Sequence, residues 1–116
     1  TFSGGDPMYQ PVACNEIAAY AKSKGYNIWV YTGFTFEELM KMSESMPIYK
    51  EFLEKIDILV DGRFILEQRD LNLLFRGSRN QRLIDVKKTL KNKEITLLNE
   101  YEYKEEKMFE KRPMFV

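Results

Sequence analysis

The sequence contains 116 residues, the usual size of a single domain, and 44% of them are hydrophobic, which excludes a wholly disordered chain. Its 18 basic and 18 acidic residues cancel, so net charge gives no argument for a nucleic-acid-binding or membrane-binding class. The single cysteine excludes an intrachain disulfide, and the lack of histidine removes the commonest metal ligand and neutral-pH acid-base group.

The first predicted element is a helix that begins at Asp6 and Pro7. Aspartate is a favoured N-cap residue, and proline fits the first helical position, where no N–H is needed. Apolar residues then recur at helical spacing, and Gly25 follows Lys22 and Lys24 as expected at a helix C-terminus.

Residues 28–31 form a short apolar run, which predicts a strand covered on both faces because the run does not alternate with polar residues. Residues 56–60 predict a second short apolar strand. Between them, Thr35 and Glu38 form a capping box that predicts a helix to about residue 43, and residues 48–53 predict a second short helix. This order of strand, helix and strand is typical of parallel βαβ units, so the predicted fold class is α/β.

The strand that should precede the first helix is nearly missing, because only Thr1 and Phe2 stand before the serine and glycines. Without that strand, the helix after Pro7 has no strand to cross over from. We therefore expect that the sequence begins inside a fold.

The second half of the chain is less regular. Residues 63–80 carry four arginines and no sustained apolar period, which is typical of a functional or mobile segment. Residues 82–86 predict a strand, residues 87–93 a basic turn or short helix, and residues 95–98 are compatible with another strand. Residues 99–116 form a charged, aromatic tail to which no element is assigned.

Polar and small residues follow the predicted strands at positions where α/β proteins bind ligands, the carboxyl ends of the strands. Asp6 and Asp61 could receive an ammonium or a ribose hydroxyl, and the glycines beside them let a ligand approach the backbone closely. The candidate site residues are Gly4, Gly5, Asp6, Thr32, Asp61, Ser78, Asn80 and Gln81.

Each of these signals has a plainer structural explanation. Asp6 as a helix cap accounts for the Asp-Pro pair completely, and the other strand ends could be ordinary turns. The arginines could form a solvated surface, and Cys14 is better explained as a small buried hydrophobe than as a nucleophile. The residues alone indicate a parallel α/β domain with a pocket for a small polar or zwitterionic ligand at the strand ends.

Three segments together resemble a known family. TFSGGDP, VYTGFTFEEL and DILVDGRFILEQRDLNLLFRGSRNQRLIDVKKTL occur in this order, and they resemble the activating enzyme of anaerobic (class III) ribonucleotide reductase, a radical S-adenosylmethionine protein. The resemblance covers roughly residues 1–90, and the block from Asp61 to Asp85 is its most specific part.

The resemblance implies a partial parallel (β/α) barrel of the radical-SAM type, truncated at its N-terminus. It implies that Gly4, Gly5 and Asp6 contact the methionyl amino group of S-adenosylmethionine, with Asp6 in place of the more usual glutamate. The other five candidates would line the same pocket. The implied reaction uses a reduced [4Fe-4S] cluster and a 5′-deoxyadenosyl radical to make a glycyl radical on the reductase.

The resemblance also implies partners and a location. The partners are the large subunit of anaerobic ribonucleotide reductase and an electron donor such as flavodoxin, with neither nucleic acid nor membrane involved. No apolar run approaches the ~18 residues of a membrane span, and we expect a cytoplasmic protein. We expect one domain over residues 1–116, with a core at 1–98 and the tail at 99–116.

The chain departs from the family at its cluster ligands. The three cysteines of the family, spaced C-x3-C-x2-C, precede the first motif and are absent here. Because cysteine thiolates hold iron–sulfur clusters, we expect that these residues hold no cluster by themselves and include no catalytic residue.

Two other functions stay open from the sequence. The chain could be a cluster-less module that binds S-adenosylmethionine or docks on the reductase through residues 63–80 and 99–116. It could also be a nucleotide-binding α/β domain outside this family, although it has neither a dinucleotide nor a P-loop fingerprint.

Overall fold

The structure is a computed structural model that describes residues 5–98. Within that range the α-helices span Pro11–Ser23 (α1), Phe36–Ser45 (α2), Ile48–Leu53 (α3) and Val86–Asn92 (α4). The strands span Trp29–Tyr31 (β1), Ile58–Asp61 (β2) and Arg82–Asp85 (β3), and 3₁₀-helices cover Pro7–Tyr9 and Leu66–Gln68. None of the helices in this range has the length and apolar character that a membrane crossing requires.

The strands form one mixed sheet in the order β1-β2-β3. β1 pairs parallel with β2, with Val30 opposite Leu59, and β2 pairs antiparallel with β3, with Leu59 opposite Ile84. The helices α2 and α3 connect the two parallel strands, so the predicted βαβ unit is confirmed.

The expectation of an all-parallel sheet is wrong for β3. A parallel neighbour needs a connection that carries the chain back across the sheet, usually an α-helix. The connection over residues 62–81 contains only a 3₁₀-turn, and it folds back on itself through a bridge between Arg69 and Ser78. β3 therefore starts beside the end at which β2 stops. The described strands form an open sheet, and the radical-SAM barrel stays a prediction.

The start of the first helix is also corrected. Asp6 caps the short 3₁₀-helix, and α1 begins only at the second proline, Pro11. The predicted end is confirmed, because Gly25 has a φ of +81° and its N–H donates to the carbonyl of Lys22 at 3.0 Å.

The sheet is covered on both faces, as the apolar run over residues 28–31 predicted for its strand. Val30, Leu59 and Ile84 belong to the main core with the helices α1, α2 and α3. Trp29, Val60 and Leu83 form a smaller cluster on the other face. There the Trp29 ring meets Phe75 edge to face with 5.3 Å between the centroids.

The further strand expected over residues 95–98 is reduced to one isolated bridge at the edge of β3. Leu97 bridges Ile84 in the antiparallel sense, and the Leu98 N–H donates to the Leu83 carbonyl at 2.9 Å. Thr1, Phe2, Gly4 and the 99–116 tail lie outside the described residues, so the missing first strand and the division at residue 98 stay predictions.

The capping box of α2 gives a test of the local structure. The Thr35 hydroxyl accepts from the Glu38 N–H at 3.1 Å, and the Glu38 carboxylate accepts from the Thr35 N–H at 2.8 Å. We expect Thr35→Ala to lower the free energy of unfolding by about 1 kcal/mol in urea titrations. Ser45→Ala at the other end of α2 should change it by less than about 0.5 kcal/mol. Equal losses in the two variants would contradict the role of the cap.

Candidate functional site

Asp6 joins the first 3₁₀-helix to the end of β1. Its carboxylate accepts from the Met8 N–H at 3.0 Å, which is the predicted cap. It also accepts from the Thr32 hydroxyl at 2.9 and 3.0 Å and from the Gly33 N–H at 2.9 Å. The plain cap interpretation is therefore confirmed, and the same carboxylate is also fixed at a strand end.

A cavity of about 220 Å³ opens beside Asp6. Three of the predicted site residues line it, namely Asp6, Thr32 and Gln81. Its other lining residues are Tyr31, Gly33, Val60, Gly62 and Phe64. The cavity lies at the carboxyl ends of the parallel strands β1 and β2, where α/β proteins bind ligands. We call it the strand-end cavity.

Asp61 lies at the end of β2, but its carboxylate is taken up inside the protein. The residue is fully buried. Its carboxylate accepts from the Phe36 N–H at 2.7 Å and from the Arg82 guanidinium at 3.0 and 2.5 Å. The Phe36 N–H is one of the unpaired donors at the N-terminus of α2, so Asp61 holds that helix end and β3 together and does not line the strand-end cavity.

The guanidinium of Arg82 extends this contact to the surface. It donates to the Glu37 carboxylate at 2.6 and 3.2 Å, and these bonds lower the pKa of Glu37. Hydrogen bonds to Asp61 and Glu37 raise the pKa of Arg82, so both contacts favour the charged form of its guanidinium. Sequence reasoning missed Arg82, although a cation at the start of a buried strand was a usable signal.

Ser78, Asn80 and Gln81 brace the irregular connection between β2 and β3. The Ser78 hydroxyl accepts from the Ile65 N–H at 3.1 Å and donates to the Asn80 side chain at 2.6 Å. Asn80 donates in turn to the Arg63 carbonyl at 2.7 Å. These contacts give Ser78 and Asn80 a structural role, and only Gln81 of the three lines the strand-end cavity.

Gln81 connects this brace to the cavity. Its side-chain oxygen accepts from the N–H groups of Gly77 and Ser78 at 2.8 and 3.1 Å. Its side-chain nitrogen donates to the Gly62 carbonyl at 3.0 Å. Gly62 has a φ of +95°, a left-handed conformation that side chains rarely adopt, so the turn that shapes the cavity needs glycine there.

Of the predicted glycines, Gly5 lies within the described residues and Gly4 lies outside them. Gly5 is exposed, and a Cβ built on it would meet no atom within 4 Å. Its backbone is therefore accessible next to Asp6. Phe64 was not predicted; it lines the strand-end cavity and is 52% exposed.

No group of three metal-ligating side chains occurs among residues 5–98. Cys14, the single cysteine of the sequence, packs partly buried against the main core, and burial raises the pKa of its thiol. Cys14 is thus an apolar packing residue, as expected, although it is only partly buried. The described residues do not fit an iron–sulfur cluster, which needs several thiolate ligands.

A cavity of about 780 Å³ lies elsewhere. Phe36 and Met40 of α2 and Thr89 and Leu90 of α4 contribute to its walls, and no predicted site residue lines it. Volume therefore does not identify the strand-end cavity as the ligand site. The reason for choosing it is its position at the carboxyl ends of parallel strands.

Comparison with known proteins connects this geometry to a family. The family described as "4Fe-4S single cluster domain" matches residues 1–84. The chain belongs to that family. The match spans the strand-end cavity and Asp61, and it stops at Ile84 of β3.

Curated relatives carry a more specific description. The anaerobic ribonucleoside-triphosphate reductase-activating protein of Haemophilus influenzae is 38% identical over 86 residues, which cover 70% of this chain and 51% of the relative. The protein of the same name from Vibrio cholerae is 39% identical over 85 residues, with the same two shares. That of Escherichia coli K12 is 34% identical over 86 residues, again with the same shares.

These relatives confirm the resemblance to the activating proteins of anaerobic ribonucleotide reductase. The chain spans about half the length of the curated relatives it matches. No solved structure matches the chain significantly.

The Asp61–Arg82 pair gives a test of the site's support. Asp61→Asn should lower the free energy of unfolding by about 3–5 kcal/mol, because it leaves the Arg82 guanidinium without its buried anion. Urea unfolding at neutral pH measures this loss. The matched control is Glu37→Gln, which removes the outer partner of Arg82, a side chain 61% exposed, and should cost less than about 1 kcal/mol. A loss for Asp61→Asn as small as the control's would contradict the role assigned to the buried pair.

Proposed function

We propose that the chain is the S-adenosylmethionine-binding portion of a radical-SAM activating enzyme for anaerobic ribonucleoside-triphosphate reductase. Three findings support the proposal: the names of the relatives, the cluster-domain family, and the carboxylate of Asp6 at the ends of two parallel strands. The position of the Asp6 carboxylate is the observation on which we assign this chain's own residues to S-adenosylmethionine binding.

The strand-end cavity fits one end of the cofactor. At about 220 Å³ it is smaller than the roughly 300–1,000 Å³ of a complete small-molecule site, so we assign to it the methionyl end alone. An ionised carboxylate offers about four acceptor positions. Met8, Thr32 and Gly33 supply the donors that Asp6 accepts within the chain, which leaves room for an ammonium hydrogen bond.

We assign the remaining contacts by position. Gly4 and Gly5 precede Asp6 and offer backbone groups to the same ligand end, and Thr32 and Gln81 form the facing wall. Asp61, Ser78 and Asn80 act indirectly by holding the strand ends and the connection around the cavity. Bound by these residues, S-adenosylmethionine would supply the 5′-deoxyadenosyl group for glycyl-radical formation on the reductase.

The cluster has no ligands among the described residues, so no electron transfer is assigned to them. Their work is to bind and orient S-adenosylmethionine. As parts of the same proposal, the enzyme acts in the cytoplasm on the large reductase subunit and receives its electron from a donor such as flavodoxin.

Calorimetric titration of the chain with S-adenosylmethionine tests the proposal without requiring activity. Asp6→Ala should weaken binding about tenfold or more, because it removes a charge-assisted hydrogen bond to the ammonium. Thr32→Val keeps the Asp6 carboxylate and removes only the hydrogen bond that the Thr32 hydroxyl donates to it. This variant should weaken binding much less. Circular dichroism checks that both variants stay folded.

The result is informative in each direction. Equal loss of affinity in the two variants would contradict the separate ammonium contact assigned to Asp6. Binding of ATP or NAD more tightly than S-adenosylmethionine would overturn the assignment and favour the nucleotide-binding alternative.

A reductase-docking module is the second candidate, and the connection between β2 and β3 favours it. This connection exposes Phe64, Leu66 and Leu71 at 52%, 65% and 73%, although side-chain hydrogen bonds brace it. Exposed apolar residues on a braced segment suit a protein partner.

The docking function makes a separate prediction. Leu71→Asp should weaken pull-down of the reductase large subunit about tenfold and leave S-adenosylmethionine affinity unchanged, since Leu71 does not line the strand-end cavity. Tyr26→Asp is the control, because Tyr26 is also exposed but follows α1, outside the connection. Equal effects of the two substitutions would count against docking through this segment.

A further inference from the structure

Phe64 is an exposed aromatic residue whose position is fixed by the chain around it. It lines the strand-end cavity and is 52% exposed. The Arg63 carbonyl before it accepts from the Asn80 side chain at 2.7 Å. The Ile65 N–H after it donates to the Ser78 hydroxyl at 3.1 Å. Because an apolar side chain gains free energy only from the surface that it buries, packing alone does not explain a fixed ring that stays half exposed.

Gly77 lies directly against the Phe64 ring. A Cβ placed on Gly77 would come within 2.9 Å of the ring Cδ1 and 3.2 Å of the ring Cε1, which is closer than side chains approach each other. The φ of Gly77 is not positive, so the close ring contact, and not the backbone conformation, is what requires glycine. The Gly77 N–H is in turn held by the Gln81 side chain at 2.8 Å. The ring therefore has a defined place beside the cavity.

The strand-end cavity combines a carboxylate with aromatic rings. Among the described residues that line it, Asp6 is the one acidic residue and none is basic. Tyr31 and Phe64 supply the rings, and burial raises the pKa of Tyr31, which keeps its ring uncharged at neutral pH. The faces of aromatic rings are electrostatically negative and attract ligand cations. The cavity thus favours an organic cation over an uncharged ligand of similar shape.

S-adenosylmethionine carries two cationic centres at the end that we assign to this cavity. The ammonium is assigned to the Asp6 carboxylate. The sulfonium lies a short carbon chain further along the ligand, still within the span of a cavity of about 220 Å³. A sulfonium has no N–H or O–H to donate, so an aromatic face suits it better than a hydrogen-bond acceptor does.

We propose that Phe64 determines specificity for the sulfonium of S-adenosylmethionine, and that Gly77 holds the ring where its face meets that cation. The inference rests on the proposed function, since it takes S-adenosylmethionine as the ligand. It adds a contact that distinguishes this ligand from its uncharged, demethylated thioether. Gly77 is a positioning residue, because it acts on the ligand only through Phe64.

Calorimetric titration of the chain with two ligands tests the contact. S-adenosylhomocysteine keeps the ammonium and the adenosine but lacks the S-methyl group and its charge. Phe64→Leu should weaken binding of S-adenosylmethionine about fivefold and that of S-adenosylhomocysteine by less than about twofold, because leucine keeps an apolar wall without a ring face. Phe64→Tyr keeps the ring and should keep the preference for the sulfonium.

Gly77→Ala tests the position of the ring without removing it. The added Cβ displaces the ring, so the preference for S-adenosylmethionine over S-adenosylhomocysteine should fall as far as in Phe64→Leu. The matched control is Leu71→Ala, which alters an exposed apolar residue of the same connection that does not line the cavity. It should leave both affinities unchanged, and circular dichroism checks that each variant is folded. An unaltered preference in Gly77→Ala would overturn the role assigned to Gly77.

The two ligands separate failure of this inference from failure of the proposed function. Equal weakening of both ligands by Phe64→Leu would overturn the sulfonium contact, although S-adenosylmethionine binding by the unaltered chain would still support the proposed function. Equal affinity of the unaltered chain for the two ligands would overturn the contact without any variant, which covers the case in which Phe64→Leu fails to fold. If the unaltered chain binds neither ligand, the proposed function fails and this inference fails with it.

Discussion

The ion pair between Asp61 and Arg82 is the contact on which the rest of this structure depends. Asp61 ends β2, Arg82 begins β3, and the same carboxylate accepts the Phe36 N–H at the start of α2. A buried carboxylate is costly unless it is paired and hydrogen bonded, and here all of its partners come from elements that must meet at one point. The pair therefore fixes where α2 begins and where the antiparallel strand joins the sheet.

The connection between β2 and β3 shows how a segment with little regular structure can be well positioned. Its backbone makes few ladder bonds, and polar side chains take their place: Ser78, Asn80 and Gln81 hold its two ends together through N–H groups and carbonyls. Such side-chain to backbone bonds offer the chain an alternative to helix or sheet. These hydrogen bonds also shape the strand-end cavity, because Gln81 lines it and donates to the Gly62 carbonyl.

Asp6 combines two tasks that the sequence presented as alternatives. It caps a short helix, and it ties that helix to Thr32 and Gly33 at the end of β1. A carboxylate fixed by several donors is already oriented, so less ordering is needed when a further donor binds. The position of the Asp6 carboxylate is compatible with both a structural cap and the proposed ammonium contact. Ligand affinity must therefore be measured separately from the free energy of unfolding to distinguish the two roles.

Sequence periodicity and end signals determined the local structure of this protein. The capping box, the glycine after α1 and the apolar runs all depend on residues close together in the chain, and each was predicted correctly. The motif series also indicated the family, which the match over residues 1–84 shows.

Only the tertiary structure decided which predicted site residues meet. Asp6, Thr32 and Gln81 line one cavity. The Asp61 carboxylate instead contacts Arg82. Ser78 and Asn80 make hydrogen bonds that hold the connection between β2 and β3. The tertiary structure also decided that β3 runs antiparallel. Strand direction and the choice of hydrogen-bond partner depend on contacts between residues distant in sequence, such as Asp61 with Arg82 and Asp6 with Thr32, and residue type alone does not specify which of several donors a carboxylate will reach.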